Sequence, residues 1–125
     1  HDESELRSAL QAMPRTVQAV FILPDALVAP SMSAVVESAL GRRIPVCGCG
    51  TYAAEKGAVL AYGSDYTSDG KALARLVDQI LLGVDPRDLP VEVSPSILVV
   101  NRRVASRLNL DLPEDIINQA DMVIE

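Results

Sequence analysis

The sequence predicts an α/β fold: a mostly parallel sheet covered by helices on both faces. Short apolar, β-branched runs at 17–23, 44–47, 58–62 and 97–100 alternate with segments whose apolar residues recur at helical spacing. The runs are apolar at nearly every position, as in parallel strands buried on both faces. With 125 residues, 49% of them hydrophobic, the chain is long enough for one domain with a real core.

The elements follow in order. Leu6, Ala9, Leu10 and Met13 share a helical face over 3–13, and Pro14 stops that helix. The run at 17–23 is a strand ended by Pro24 and Asp25. Ser31 or Ser33 caps a helix whose core face is Met32, Val35, Val36, Ala39 and Leu40, with Gly41 placed to end it. A strand at 44–47 leads into a short helix at 51–56 closed by Gly57. The third strand, 58–62, turns sharply into a long helix carrying Leu73, Leu76, Val77, Ile80 and Leu81 on one face and ending near Gly83. After a turn at 85–90, residues 91–93 alternate and 97–100 form a buried run, a strand interrupted at Pro95. Asn101 caps a helix containing Val104, Ala105 and Leu108, Pro113 opens a last helix, and 120–125 tails off. The expected order is α-β-α-β-α-β-α-β-α-α.

Charge and composition exclude several functions. Seventeen acidic residues against eleven basic ones give a net charge of −6, and no basic cluster exceeds the pairs Arg42-Arg43 and Arg102-Arg103. Nucleic acid is therefore not an expected partner, since phosphate binding needs a basic patch. One Phe, three Tyr and no Trp leave little for base stacking. No apolar run approaches the roughly 20 residues of a bilayer span, and 1–6 has no signal-peptide pattern. Any export signal is expected upstream of this stretch.

The chain is not expected to be an enzyme. His1 is its only histidine, which removes a histidine base and with it the Ser-His-Asp and Cys-His chemistries. Cys47 and Cys49, one glycine apart, fall short of a structural zinc set and read as two half-buried thiols. Neither a metal nor a cofactor is expected. Gly48 and Gly50 lack the third glycine of a dinucleotide loop and the Gly-Lys-Ser/Thr of a P-loop, so a tight strand-to-helix turn outweighs phosphate binding.

Several short motifs then occur in order: Leu23-Pro24-Asp25 after a strand, Arg43-Ile44-Pro45-Val46, the run 57–66, Ile80-Leu81-Leu82-Gly83, Asp88-Leu89-Pro90-Val91, and the closing series Asn101, Ala105, Leu108, Leu112-Pro113, Ala120-Asp121 and Ile124-Glu125. Each is weak alone. Together, over nearly the whole chain, they make it resemble the carboxy-terminal part of substrate-binding components of ABC transporters, in the family that includes tryptophan and tyrosine binding proteins.

That resemblance implies a Rossmann-like lobe, part of a type I periplasmic binding protein in which two lobes close on a small ligand and hand it to an ABC permease. It implies a periplasmic or extracytoplasmic location. It also implies that 1–57 and 91–125 belong to the second lobe while 58–90 visits the first. A piece so divided has apolar surface to cover, by repacking or by pairing with a second copy as a homodimer.

The candidate ligand contacts are Asp25, Tyr52, Tyr62, Asp65 and Tyr66, all near the carboxyl ends of strands, where open α/β sheets bind small molecules. Asp25 either pairs with a ligand ammonium or caps a turn; the family pattern has a polar residue near it. Tyr62 and Tyr66 either touch ligand or fill a lobe interface. Asp65 either accepts from ligand or, the favoured role, caps the helix after it. Relatives often carry a polar residue where Cys47-Gly48-Cys49-Gly50 stands here, which leaves the ligand class open. Capture of a small organic solute, such as an amino acid, for an ABC importer is the leading expectation; a ligand-sensing module of a signalling protein is the alternative.

Overall fold

A computed structural model describes residues 3–125; the sole histidine, His1, and Asp2 lie outside the described residues. The elements are α1 (Glu3–Ala12), β1 (Val20–Ile22), α2 (Met32–Gly41), β2 (Val46–Gly48), α3 (Thr51–Glu55), β3 (Leu60–Ser64), α4 (Tyr66–Leu81), a 3₁₀ turn (Pro86–Asp88), β4 (Ser96–Asn101), α5 (Arg102–Arg107), α6 (Glu114–Gln119) and β5 (Met122–Ile124). The strands lie in chain order in one five-stranded sheet. β1, β2 and β3 run parallel, β4 and β5 run parallel to each other, and β3 meets β4 antiparallel. The α/β class with a mostly parallel sheet holds, with one antiparallel join.

That join decides where the long helix goes. Ser64, the last residue of β3, pairs with Ser96, the first of β4. The chain between them leaves the sheet and returns at the same end of these two interior strands. Residues 60–64 are hydrogen-bonded within the sheet, and 65–95 contribute no strand to it. The expected alternation at 91–93 makes no strand: Val91 is 94% and Val93 86% exposed, and pairing starts only after Pro95. The expected tail instead supplies β5. Asp121 places it there, its N–H donating to the Leu98 carbonyl (2.9 Å) and its Oδ2 accepting from the Leu98 N–H (2.7 Å).

The main core packs Ile22, Val46, Ala61 and Val99 of the sheet against Met32, Val35, Val36 and Ala39 of α2 and Ala53 and Ala54 of α3. Leu6 and Leu10 of α1 close its edge. A second cluster joins Val59 to Val104, Ala105 and Leu108 in and after α5. Asn101 bridges α3 and α5: fully buried, its Nδ2 donates to the Ala54 carbonyl and its Oδ1 accepts from the Val104 N–H, both at 3.0 Å.

Helix ends set the strand starts. After α3, Gly57 (φ 106°) turns the chain and the Ala58 N–H returns to the Ala53 carbonyl at 2.9 Å, aiming the next residues into β3. After α2 the same left-handed position falls to Arg43 (φ 58°) rather than to the expected Gly41, which is the last helical residue. The Ile44 N–H reaches the Ala39 carbonyl at 2.9 Å and the chain enters β2.

α4 differs from the other long helices. Ala72 is its only buried residue, while Leu73, Val77, Ile80 and Leu81 lie exposed. Its amphipathic face is present but is not packed on the sheet. No described helix is long and apolar enough to cross a membrane.

Candidate functional site

The carboxyl ends of β1, β2 and β3 open at one end of the sheet, and each is followed by a turn. After β1, Asp25 organises its own loop: Oδ1 accepts from the N–H groups of Leu27 (2.8 Å) and Val28 (3.0 Å). The Asp25 carbonyl accepts from the Ala29 N–H at 3.0 Å. Oδ2 accepts nothing from the described residues.

After β2, Gly50 (φ 74°) begins α3 in a conformation that side chains disfavour. The Tyr52 ring lies over it: a Cβ on Gly50 would stand 3.5 Å from Tyr52 Cδ1. The carboxyl end of β3 presses on this turn. A Cβ on Gly63 would fall 2.9 Å from the Gly50 nitrogen, so the two backbones touch where any larger residue would part them. This contact holds the Tyr52 loop beside the start of α4.

Between these turns is an open depression of about 420 Å³ lined by Pro24, Asp25, Ala26, Ala29, Tyr52 and Tyr66. Three of the five expected contacts, Asp25, Tyr52 and Tyr66, are brought together. Asp65 and Tyr62 are not. Asp65 is consumed as the cap of α4, its Oδ1 accepting from the Thr67 N–H (3.3 Å) and its Oδ2 from the Ser68 N–H (3.1 Å) and the Ser68 hydroxyl (2.9 Å). The Ser68 hydroxyl foremost, then these N–H groups and the charge of Lys71, hold its carboxyl below the ordinary carboxylate range against some desolvation.

Tyr62 was expected at the turn, but pairing of Gly63 with Ile97 and of Ser64 with Ser96 carries β3 two residues further. Tyr62 is thus mid-strand, opposite Leu98 and largely exposed, and does not line the depression. Sequence reasoning missed Pro24, Ala26 and Ala29. The signal was there: small residues directly after β1 leave room for a ligand.

A larger groove of about 570 Å³ lies between α2, α3 and α5. Gly41 and Gly57, which line it, precede β2 and β3, so it sits at the amino ends of those strands. Its rim mixes Glu37 and Glu55 with Lys56, Arg103 and Arg107. The smaller depression is the better candidate, because the strands' carboxyl ends supply convergent loops and because it pairs aromatic rings with one carboxylate. Cys47 and Cys49 carry free, partly buried thiols, and burial pushes the Cys47 thiol up despite a backbone hydrogen bond from Leu60. Among the described residues no three His, Cys, Asp or Glu side chains gather at metal-ligating positions.

This is the fold of a Rossmann-like α/β lobe, and comparison with known proteins gives its class. Residues 1–124 match the model of the ABC transporter substrate binding protein family. The chain belongs to that family, one of binding proteins rather than enzymes.

Solved structures agree. A conserved domain protein from Vibrio cholerae is 31% identical with a TM-score of 0.86, over 98% of this chain and 42% of that one. An ABC domain in complex with L-Trp from Streptococcus pneumonia is 27% identical with a TM-score of 0.87, over 98% and 42%. A ligand-free, open substrate binding protein with adhesive properties from Clostridium difficile is 25% identical with a TM-score of 0.70, over 97% and 41%. The chain thus spans about 42% of the length of the first two. No curated protein matches it.

Proposed function

We propose that this chain supplies one wall of the cleft of an extracytoplasmic binding protein that captures a small organic solute, an amino acid, for an ABC importer. The observation that carries this reading is the depression at the carboxyl ends of β1–β3, where Asp25, Tyr52 and Tyr66 converge. The family and an L-Trp-bound neighbour support it. The second wall belongs to another lobe, which the segment 65–95 visits before the chain returns to the sheet at Ser96. The exposed apolar stripe of α4 supports that division, since such a stripe needs cover.

Calorimetric titration of the full-length protein against the common amino acids and small carboxylates, with Asp25→Ala alongside, tests the proposal. The expected result is tight binding of one ligand class, weakened by the substitution. Silence across the panel would count against amino-acid capture and favour a sensor of some other ligand.

A further inference from the structure

Two thiols share one face of the sheet. Between them Gly48 faces the core: a Cβ there would stand 2.8 Å from Ala53 Cβ and 3.7 Å from Met32 Cε. Side chains alternate along a strand, so Cys47 and Cys49 leave by the opposite face. Cys49 lies one residue past β2, yet the chain keeps its course there. The pairing of Gly48 with Ala61 projects Gly50 beside Gly63, which is where the two backbones touch.

That face is open to solvent. Phe21, beside Cys47 in β1, and Tyr62, two residues past its partner Leu60 in β3, are both largely exposed. Both thiols are free and only partly buried.

Their spacing decides what they can hold. Same-face neighbours on a strand stand two rises apart, about 6.5 Å. A disulfide needs its Cβ atoms within about 4.5 Å, so this pair cannot close one without bending the strand. A cation between two thiolates needs less approach: with metal–sulfur bonds of about 2.3 Å, a linear bridge spans about 4.6 Å between sulfurs, which two side chains leaning together reach. Zinc is not that cation. It takes four ligands, and among the described residues no third His, Cys, Asp or Glu joins the pair. Cu(I), the soft cation that thiolates select, is satisfied by two.

We propose that Cys47 and Cys49 form a two-coordinate site for Cu(I) on the sheet face opposite α2 and α3. The site is separate from the depression and does not rest on the solute-capture reading. Binding changes no oxidation state: two thiols and one Cu(I) give a bis-thiolate complex and release two protons to solvent. Burial pushes the Cys47 thiol up, so its proton is displaced by the metal rather than lost beforehand.

The test is anaerobic titration of the full-length protein with Cu(I) against bicinchoninate as the competing chelator, for the parent and for Cys47→Ser and Cys49→Ser. Each variant should hold one Cu(I) fewer than the parent and lose the matching near-ultraviolet thiolate-to-copper absorption. Zn(II) content should be the same in all three. Far-ultraviolet circular dichroism checks that each variant is folded, and Cys47→Ala replaces the serine variant if serine is not tolerated at that half-buried position.

Equal copper content in the parent and either folded variant overturns the inference. So does a matching loss of Zn(II), or a Cys47–Cys49 disulfide found by mass spectrometry after mild oxidation, since that bridge needs the sulfurs closer than the strand allows. None of these results bears on solute capture, which the amino-acid titration decides by itself.

Discussion

Asn101 is the buried polar residue on which two helices depend, and replacing it with alanine has a cost that follows from its contacts. Its Oδ1 caps α5 through the Val104 N–H, and loss of such a cap costs about 1 kcal/mol. Its Nδ2 donates to the Ala54 carbonyl, a bond worth about 1 kcal/mol net. That carbonyl is not orphaned by the change, because it also accepts from the Gly57 N–H at 3.0 Å. The sum is about 2 kcal/mol, to which the void left by the amide adds. With a urea slope of ~2 kcal/mol per molar, the unfolding midpoint should fall by about 1 M. Hydrogen exchange at the Val104 amide should accelerate alongside it.

Asn101→Asp separates the two roles. It keeps the cap acceptor but sets a carboxylate against the Ala54 carbonyl inside the protein, so at pH 7 it should be less stable than Asn101→Ala. Burial raises the folded-state pKa of that carboxyl, so the variant should recover stability as the pH falls. An alanine variant within ~0.5 kcal/mol of the parent, or an aspartate variant more stable than the alanine one at pH 7, would refute the reasoning.

Four further outcomes are expected. The Asp65 carboxyl has a lowered folded pKa, so its capping contribution is complete above the unfolded value of about 4 and lost as the pH falls through the folded one. The Thr67 and Ser68 amides should therefore lose exchange protection below about pH 4, and Asp65→Asn should abolish that acid dependence. Gly63→Ala drives a methyl to 2.9 Å from the Gly50 nitrogen, and a cost of about 1–3 kcal/mol in chemical denaturation should come with weaker solute binding. Replacing Leu73 and Val77 together by serine should destabilise the full-length protein by about 2–4 kcal/mol if another lobe covers α4, and leave the isolated 125-residue chain nearly unchanged. The Cys47 thiol, pushed up by burial, should resist iodoacetamide at pH 7 in mass-spectrometric mapping of the folded protein.

What could be read from the sequence was what is encoded locally. The capping of α4 by Asp65 is written in four consecutive residues, Asp65 to Ser68, and the structure uses the backbone N–H groups two and three positions on. The turn at Gly57 was legible because a left-handed position favours glycine. Arg43 holds the same position after α2 with no such signal, because the return of the Ile44 N–H to Ala39 and the burial of Ile44 outweigh the modest strain of a side chain there.

Pairing between distant segments was not legible. β5 is three residues long, and nothing in Met122-Val123-Ile124 distinguishes it from a tail until Asp121 reaches Leu98 across the sheet. The exposure of Val91 and Val93 was hidden for the converse reason: alternation signals a strand only where a partner is within reach.

The site divides along the same line. Asp25, Tyr52 and Tyr66 each lie shortly after the end of a strand, β1, β2 and β3 in turn, so the rule that ligands meet the carboxyl ends of strands was enough to bring them together. Tyr62 fails because its place depends on how far β3 runs, and that is fixed by β4, more than thirty residues away in sequence. One antiparallel pairing, Ser64 with Ser96, therefore removes Tyr62 from the depression and begins α4 beside it. It also sets where the excursion of 65–95 leaves the sheet and returns to it. The position of Tyr66, first residue of α4 and last aromatic of the site, is a consequence of that pairing as much as of its own neighbours.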